Sequence, residues 1–171
     1  MDFNVRTGNT LVGFRSMEEV RQSLSGDLIK QMELPEIEEQ STEVAQAFSE
    51  FHSAQTDLGS DSNLTETTKS RLRLNLRILE DRLNRYLAST EYGVGEGKED
   101  DYDEWVRSHQ PFHWLIEFYS IMSSGGFDVI IGNPPYVEWH KVKDYSVQSG
   151  GYSTLGCGNV YATMLERSYD L

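Results

Sequence analysis

Residues 126–136 read Gly126-Phe127-Asp128-Val129-Ile130-Ile131-Gly132-Asn133-Pro134-Pro135-Tyr136, and the fold class turns on this stretch. Residues 127–131 form a continuous apolar run with one acid, the pattern of a strand buried on both faces of a parallel sheet. Residues 111–122, just before it, are apolar on most sides and predict a buried helix ended by Ser123-Ser124-Gly125-Gly126. A helix followed by a buried strand predicts an α/β architecture. Asn133-Pro134-Pro135-Tyr136 then leaves the carboxyl end of the strand, where open parallel sheets hold their ligands.

The residue types in that turn suit chemistry at an amino group. An exocyclic purine amine is a poor nucleophile because its lone pair is delocalised into the ring. Two acceptors aimed at its N–H groups would hold the nitrogen in an attacking geometry and stabilise positive charge as a bond forms. Asn133 offers a side-chain carbonyl and Pro134 a backbone one. The consecutive prolines fix φ and remove two N–H donors, which keeps these carbonyls stiffly outward. Tyr136 offers a ring on which a base extruded from a duplex can stack, with Pro135 beside it. The competing interpretation is a rigid turn or a proline-rich ligand, but such ligands sit in polar, low-complexity sequence rather than at the end of an apolar run.

Composition bounds the rest. The chain has 171 residues, 37% hydrophobic and 25% charged, which suits one ordinary domain. No apolar run approaches membrane-spanning length and no leader pattern opens the chain, so a cytoplasmic protein is expected. One cysteine, Cys157, excludes an internal disulfide, and no Cys/His spacing suggests a metal. The net charge of −13 argues against a nucleic-acid partner until its distribution is read. Residues 31–68 hold nine acids and no Lys or Arg, and residues 96–104 hold six acids against Lys98. Residues 69–85 carry six basic side chains, and residues 125–171 are close to balanced.

Along the chain, Phe3-Asn4-Val5-Arg6 reads as an extended run leading to a turn at Thr7-Gly8-Asn9-Thr10 and on to Leu11-Val12. Residues 36–90 predict a helical hairpin. Ile37, Val44, Phe48, Phe51 and Leu58 line one arm; Leu72, Leu76, Leu79, Leu83 and Tyr86 line the other at spacings of four and three. Gly59-Ser60-Asp61-Ser62-Asn63 supplies the turn, so the arms should run antiparallel. The basic residues of the second arm could touch phosphate, but pairing with the acids of the first is the simpler expectation. Residues 91–109, with Gly93, Gly95, Gly97 and the acidic run, read as a mobile linker. Asn159 to Leu171 reads as a helix with Val160 and Met164 inward.

The stretch from Gly126 to Val137 resembles the fourth motif of DNA adenine methyltransferases, and in longer context the large type IIG restriction–modification enzymes and BREX phage-defence methylases. Residues 3–13 resemble the third motif and residues 159–168 the fifth. The resemblance implies a partial Rossmann-like methyltransferase fold interrupted by an antiparallel helical hairpin insertion. It divides the chain into core at 1–30, insertion at 31–91, acidic linker at 92–109 and core again at 110–171. It implies S-adenosylmethionine as methyl donor and double-stranded DNA as partner through a longer parent. Asn133, Pro134 and Tyr136 become the catalytic residues, and Pro135, Tyr136 and Lys141 contact substrate. Asn9, Leu11 and Asn133 contact the cofactor, although Asn9 stands where many relatives carry Asp. The glycine-rich cofactor loop and a target-recognition domain are not among these residues, so the chain resembles the middle of a larger enzyme and is expected to be inactive alone. Two alternatives stay open: a methyltransferase acting on protein glutamine or RNA amino groups, and a module whose working part is the hairpin.

Overall fold

The computed structural model describes residues 5–24, 32, 34–56, 62–95, 97–147 and 151–171. It contains helices α1 (Met17–Leu24), α2 (Leu34–Thr56), α3 (Ser62–Glu91), α4 (Glu99–His109), α5 (Trp114–Glu117), α6 (Tyr119–Met122) and α7 (Val160–Tyr169). Two 3₁₀ turns lie at Trp139–Lys141 and Ser153–Cys157. The chain divides into two compact units, residues 21–85 and residues 1–20 with 86–171.

The α/β expectation is overturned: no strand forms among the described residues, which pair only at isolated bridges, Asn9 with Pro111 and Glu138 with Asn159. The segment expected to be a doubly buried strand is open, with Val129 72%, Ile130 41% and Ile131 93% exposed. The physical reason is that apolarity makes a strand only where a neighbour supplies a hydrogen-bond ladder. Residues 128–136 make no backbone hydrogen bond with the described residues. The described residues therefore do not form a Rossmann-like fold.

In residues 21–85 the two long helices follow their apolar repeats. Ile37, Val44, Ala47 and Ala54 are buried on α2; Leu72, Leu79 and Leu83 are buried on α3. Phe48, Phe51 and Leu76, expected in the same seam, are half-buried, while Leu58 and most of the expected turn lie outside the described residues. The seam runs through Ala47 and Ala54 because small side chains let helix backbones approach. Cross-links fix the direction. Arg82 pairs with Glu36 at 2.7 Å, Asn75 donates to the Glu43 carbonyl at 3.4 Å, Arg71 pairs with Glu50 at 2.6 Å, and Thr65 donates to the Ala54 carbonyl at 3.4 Å. One helix rises in number as the other falls, so they are antiparallel. Arg71 and Arg82 neutralise first-arm acids, as charge balance suggests.

In the other unit, residues 9–14 lie along residues 110–113. Asn9 donates its N–H to the Gln110 carbonyl at 2.7 Å, Phe112 to Val12 at 2.7 Å, and Phe14 to His113 Nδ1 at 3.1 Å. Gly13 sits at φ 129°, and a Cβ there would meet the Phe112 carbonyl oxygen at 2.5 Å, so the close approach requires glycine. Residues 91–109, read as a linker, contain the eleven-residue α4. Its first-turn acids Glu99, Asp100 and Asp101 complement the helix dipole, and Tyr102 and Trp105 bury one face. The helix expected over 111–122 is broken into α5 and α6 at Phe118, whose φ of −123° is not helical.

His113 is fully buried, stacks on Phe14 at 5.6 Å and is kept neutral. Burial, helped by the Arg167 charge, lowers its pKa from 6.5 to about 3. Above 6.5 the ring is neutral folded or unfolded, and its stabilising contacts are fully present. Between 6.5 and about 3 the unfolded chain binds a proton that the folded chain refuses, so stability falls with pH. Urea denaturation from pH 7.5 to 4.5 is expected to show a loss of about 1.4 kcal/mol per pH unit from this residue. His113→Gln, which keeps an acceptor for Phe14, should flatten that slope; an unchanged slope would show that the burial is wrongly assigned.

Candidate functional site

Residues 133–136 lie in an open segment between two anchored points of the chain. Before it, Phe127 donates its N–H to the Leu171 carbonyl at 2.8 Å, and its ring meets Trp114 and Phe118 edge-on at 5.7 and 5.3 Å. An apolar concavity of about 430 Å³, lined by Thr10, Phe112, Trp114, Phe118, Phe127 and Ile130 among others, ends at Ile131. After the turn, Val160 donates to the Val137 carbonyl at 2.8 Å and Trp139 to the Gly158 carbonyl at 3.0 Å. This clip sets Tyr136 beside the first turn of α7. Asn133, Pro135 and Tyr136 are exposed and Pro134 is half-buried. Asn133 has no hydrogen-bond partner among the described residues, so its carboxamide is open to a ligand.

Tyr136 is 76% exposed, and its ring centroid lies 5.7 Å from that of Tyr161, with 39° between the planes. Asn159 caps α7 by accepting the Tyr161 N–H at 3.2 Å. Lys141, expected to contact substrate, pairs with Glu138 at 2.7 Å, and His140 approaches the same carboxylate at 3.5 Å.

The loop after the turn rests on a small core. Leu11, Tyr152 and Val160 are buried together, with Trp139, Val142, Val147, Leu155 and Met164 against them. Trp139 Nε1 also donates to Thr163 Oγ1 at 3.3 Å. Tyr92 donates to the Ser146 carbonyl at 3.0 Å, and the Ser146 N–H donates to His109 Nε2 at 3.4 Å. Burial raises the pKa of the Tyr92 phenol and lowers that of the His109 ring.

Two residues of α7 organise this region. Glu166 accepts four hydrogen bonds, from the N–H and hydroxyl of Ser153 at 2.8 and 2.9 Å and of Thr154 at 2.9 and 2.6 Å. Desolvation opposes its charge, but the bonds from Thr154 and Ser153 outweigh it and hold the carboxyl down at about 2. Glu166→Gln leaves one oxygen where two accepted. Amide exchange at Ser153 and Thr154 is expected to quicken by roughly tenfold, the loss of about one charge-assisted hydrogen bond; unchanged protection would contradict the clamp.

Arg167, 4% exposed, donates Nε to the Tyr152 hydroxyl at 2.7 Å, Nη1 to both Glu19 oxygens at 3.2 Å, and Nη2 to the Gly13 carbonyl at 3.1 Å. Tyr152, its phenol pushed up to about 12 chiefly by burial, donates its hydroxyl to the Leu11 carbonyl at 2.9 Å. Glu19 is fixed in turn by the Arg15 N–H at 2.6 Å and by its own N–H donating to Ser16 Oγ at 3.2 Å, a variant of the capping box at the start of α1. Sequence reading placed Tyr161, Glu166 and Arg167 in the fifth-motif helix but gave none of them a site role. The available signal was a lone arginine at 167 on the face of Val160 and Thr163, where a charge survives only if partnered.

The cofactor positions behave differently from one another. Asn9 accepts the Leu11 N–H at 3.2 Å and shares a side-chain hydrogen bond with Tyr145. Leu11 is 3% exposed and its carbonyl is taken by Tyr152. Asn133 alone is open. Asn9 and Leu11, as they stand, offer no free side chain to S-adenosylmethionine.

An open Asn-Pro-Pro-Tyr turn, clipped onto a capped helix, sits within a chain that falls among the restriction–modification methylases. The chain belongs to the Eco57I restriction-modification methylase family, whose profile matches residues 36–171. It is also similar to a Methanocaldococcus jannaschii protein whose provisional description is type II restriction enzyme and methyltransferase. That match is 67% identical over 27 residues, covering 16% of this chain and 2% of that much longer protein. No solved structure matches. Among the described residues no helix is long and apolar enough to cross a membrane, and no cluster of side chains could hold a metal ion.

Proposed function

We propose that these residues form the target-base part of a methylase that transfers a methyl group from S-adenosylmethionine to the 6-amino group of adenine in double-stranded DNA, in restriction–modification or phage defence. The observation that carries the proposal is that the Asn133 carboxamide and the Tyr136 ring are both open in one short segment, followed directly by the anchored Val137 and Trp139, in a member of this methylase family. Asn133 and the Pro134 carbonyl accept the two amine N–H groups and raise the nitrogen's nucleophilicity in one orientation. Tyr136 stacks on the extruded base, Pro135 lies beside it, and Lys141 reaches backbone phosphate when it leaves Glu138. The donor supplies the methyl group. Of Asn9, Leu11 and Asn133, the last is the best placed to meet it, because its side chain is free.

In this proposal residues 31–91 are an insertion between the segments 1–30 and 110–171, with 92–109 joining them, and the 171 residues alone do not methylate. Calorimetric titration of these residues with S-adenosylmethionine is expected to show no micromolar binding; a micromolar isotherm would overturn their dependence on further sequence. For the substrate, the intact methylase should be offered duplex DNA, tRNA and a glutamine-bearing protein with methyl-labelled donor. Label in DNA is the expected outcome, and label confined to RNA or protein would replace this function with another.

A further inference from the structure

We infer that Tyr161 is a positioning residue for the target base, acting through Tyr136; the inference rests on the assignment of Tyr136 as the ring on which the base stacks. Tyr136 follows two prolines and is 76% exposed, so nothing on its own turn fixes its side-chain rotamer. What lies against it is the Tyr161 ring, at 5.7 Å and 39°. Rings in this contact attract one another but leave no gap for a base between them. The base must therefore lie on the outer face of Tyr136, with Tyr161 behind as a support.

The support is itself rigid. Tyr161 lies in the first turn of α7, where its N–H is held by Asn159. The same helix start is bonded to the residues just after Tyr136, through Val160 to Val137 and Trp139 to Gly158. Farther along α7, Glu166 and Arg167 anchor the helix to the loop at 153–154 and to Glu19. The Tyr161 hydroxyl has no partner among the described residues, so the ring is the working part. Holding Tyr136 in one rotamer before the base arrives removes an ordering cost from the stacking step.

The test uses the intact methylase with duplex DNA carrying 2-aminopurine at its mapped target adenine, and single-turnover methylation of the unmodified duplex. Tyr161→Ala should lower the methylation rate roughly three- to tenfold, the size of one aromatic pair, and reduce the 2-aminopurine emission change on binding. Tyr161→Phe should restore both. Combining Tyr161→Ala with Tyr136→Ala should add nothing to Tyr136→Ala alone. The inference is overturned if Tyr161→Ala matches wild type, or if its loss adds in full to that of Tyr136→Ala. If Tyr136→Ala itself is silent, base stacking at Tyr136 fails and takes this inference with it.

Discussion

Replacing Asn133 by Ala in the intact methylase is expected to lower the methylation rate by a factor of about 10² to 10³, the scale of losing one preorganised polar group at a reacting centre. DNA binding should change little. The carboxamide is exposed, its neighbours hold their positions without it, and it carries no charge that could contribute to phosphate attraction. The reacting nitrogen needs an acceptor that strengthens its grip as positive charge grows, and a methyl group offers none. Asn133→Asp is informative beside it: a carboxylate also accepts, so it should retain more activity than Ala. Single-turnover methylation and a gel-shift titration read the two effects separately. Activity within threefold of wild type for Asn133→Ala would remove the amine-orienting role.

The largest effect on stability is expected at Arg167. Its guanidinium is buried and bound to Tyr152, Glu19 and the Gly13 carbonyl, so Arg167→Ala strips a partner from the buried Tyr152 and from the half-buried Glu19 and Gly13 at once. Breaking a fully buried pair from one side costs about 3–5 kcal/mol; with the Glu19 carboxylate partly open to water the loss should lie at the lower end of that range. Domains are stable by only about 5–15 kcal/mol, so the variant should lose a large fraction of its denaturation midpoint. Arg167→Met paired with Glu19→Leu removes both charges and should recover part of the loss. Equal midpoints for wild type and Arg167→Ala in urea denaturation would show that the network is not a structural anchor.

Legibility in the sequence followed how local each signal was. Leucines at 72, 79 and 83 announce one helix of the pair, and the charges at Arg71 and Arg82 announce what neutralises the other. Ala47 and Ala54 gave no hydrophobic signal, although they form the seam. α4 was hidden by its acids: Tyr102 and Trp105 are three apart on one face, but Glu99, Asp100 and Asp101 look like solvated linker unless read as a first turn. The apolar run at 127–131 misled in the opposite direction. Its composition states a preference for burial, and no ladder partner within the described residues satisfies it, so the α/β expectation fell. Residues 133–136 stand out in the sequence because two prolines fix their own backbone whatever surrounds them. Tyr161 and the Glu166 clamp depend on residues far apart in sequence meeting, which spacing along the chain does not reveal.

The central claim is that this turn directs methylation to the amino group of adenine. Its most direct test is to incubate the intact methylase with unmethylated duplex DNA and isotopically methyl-labelled S-adenosylmethionine, digest the DNA to nucleosides and identify the labelled species by mass spectrometry. Labelled N6-methyldeoxyadenosine, absent with Asn133→Ala, is the predicted result. Label found only on cytosine, or adenine label that persists undiminished in Asn133→Ala, would contradict it.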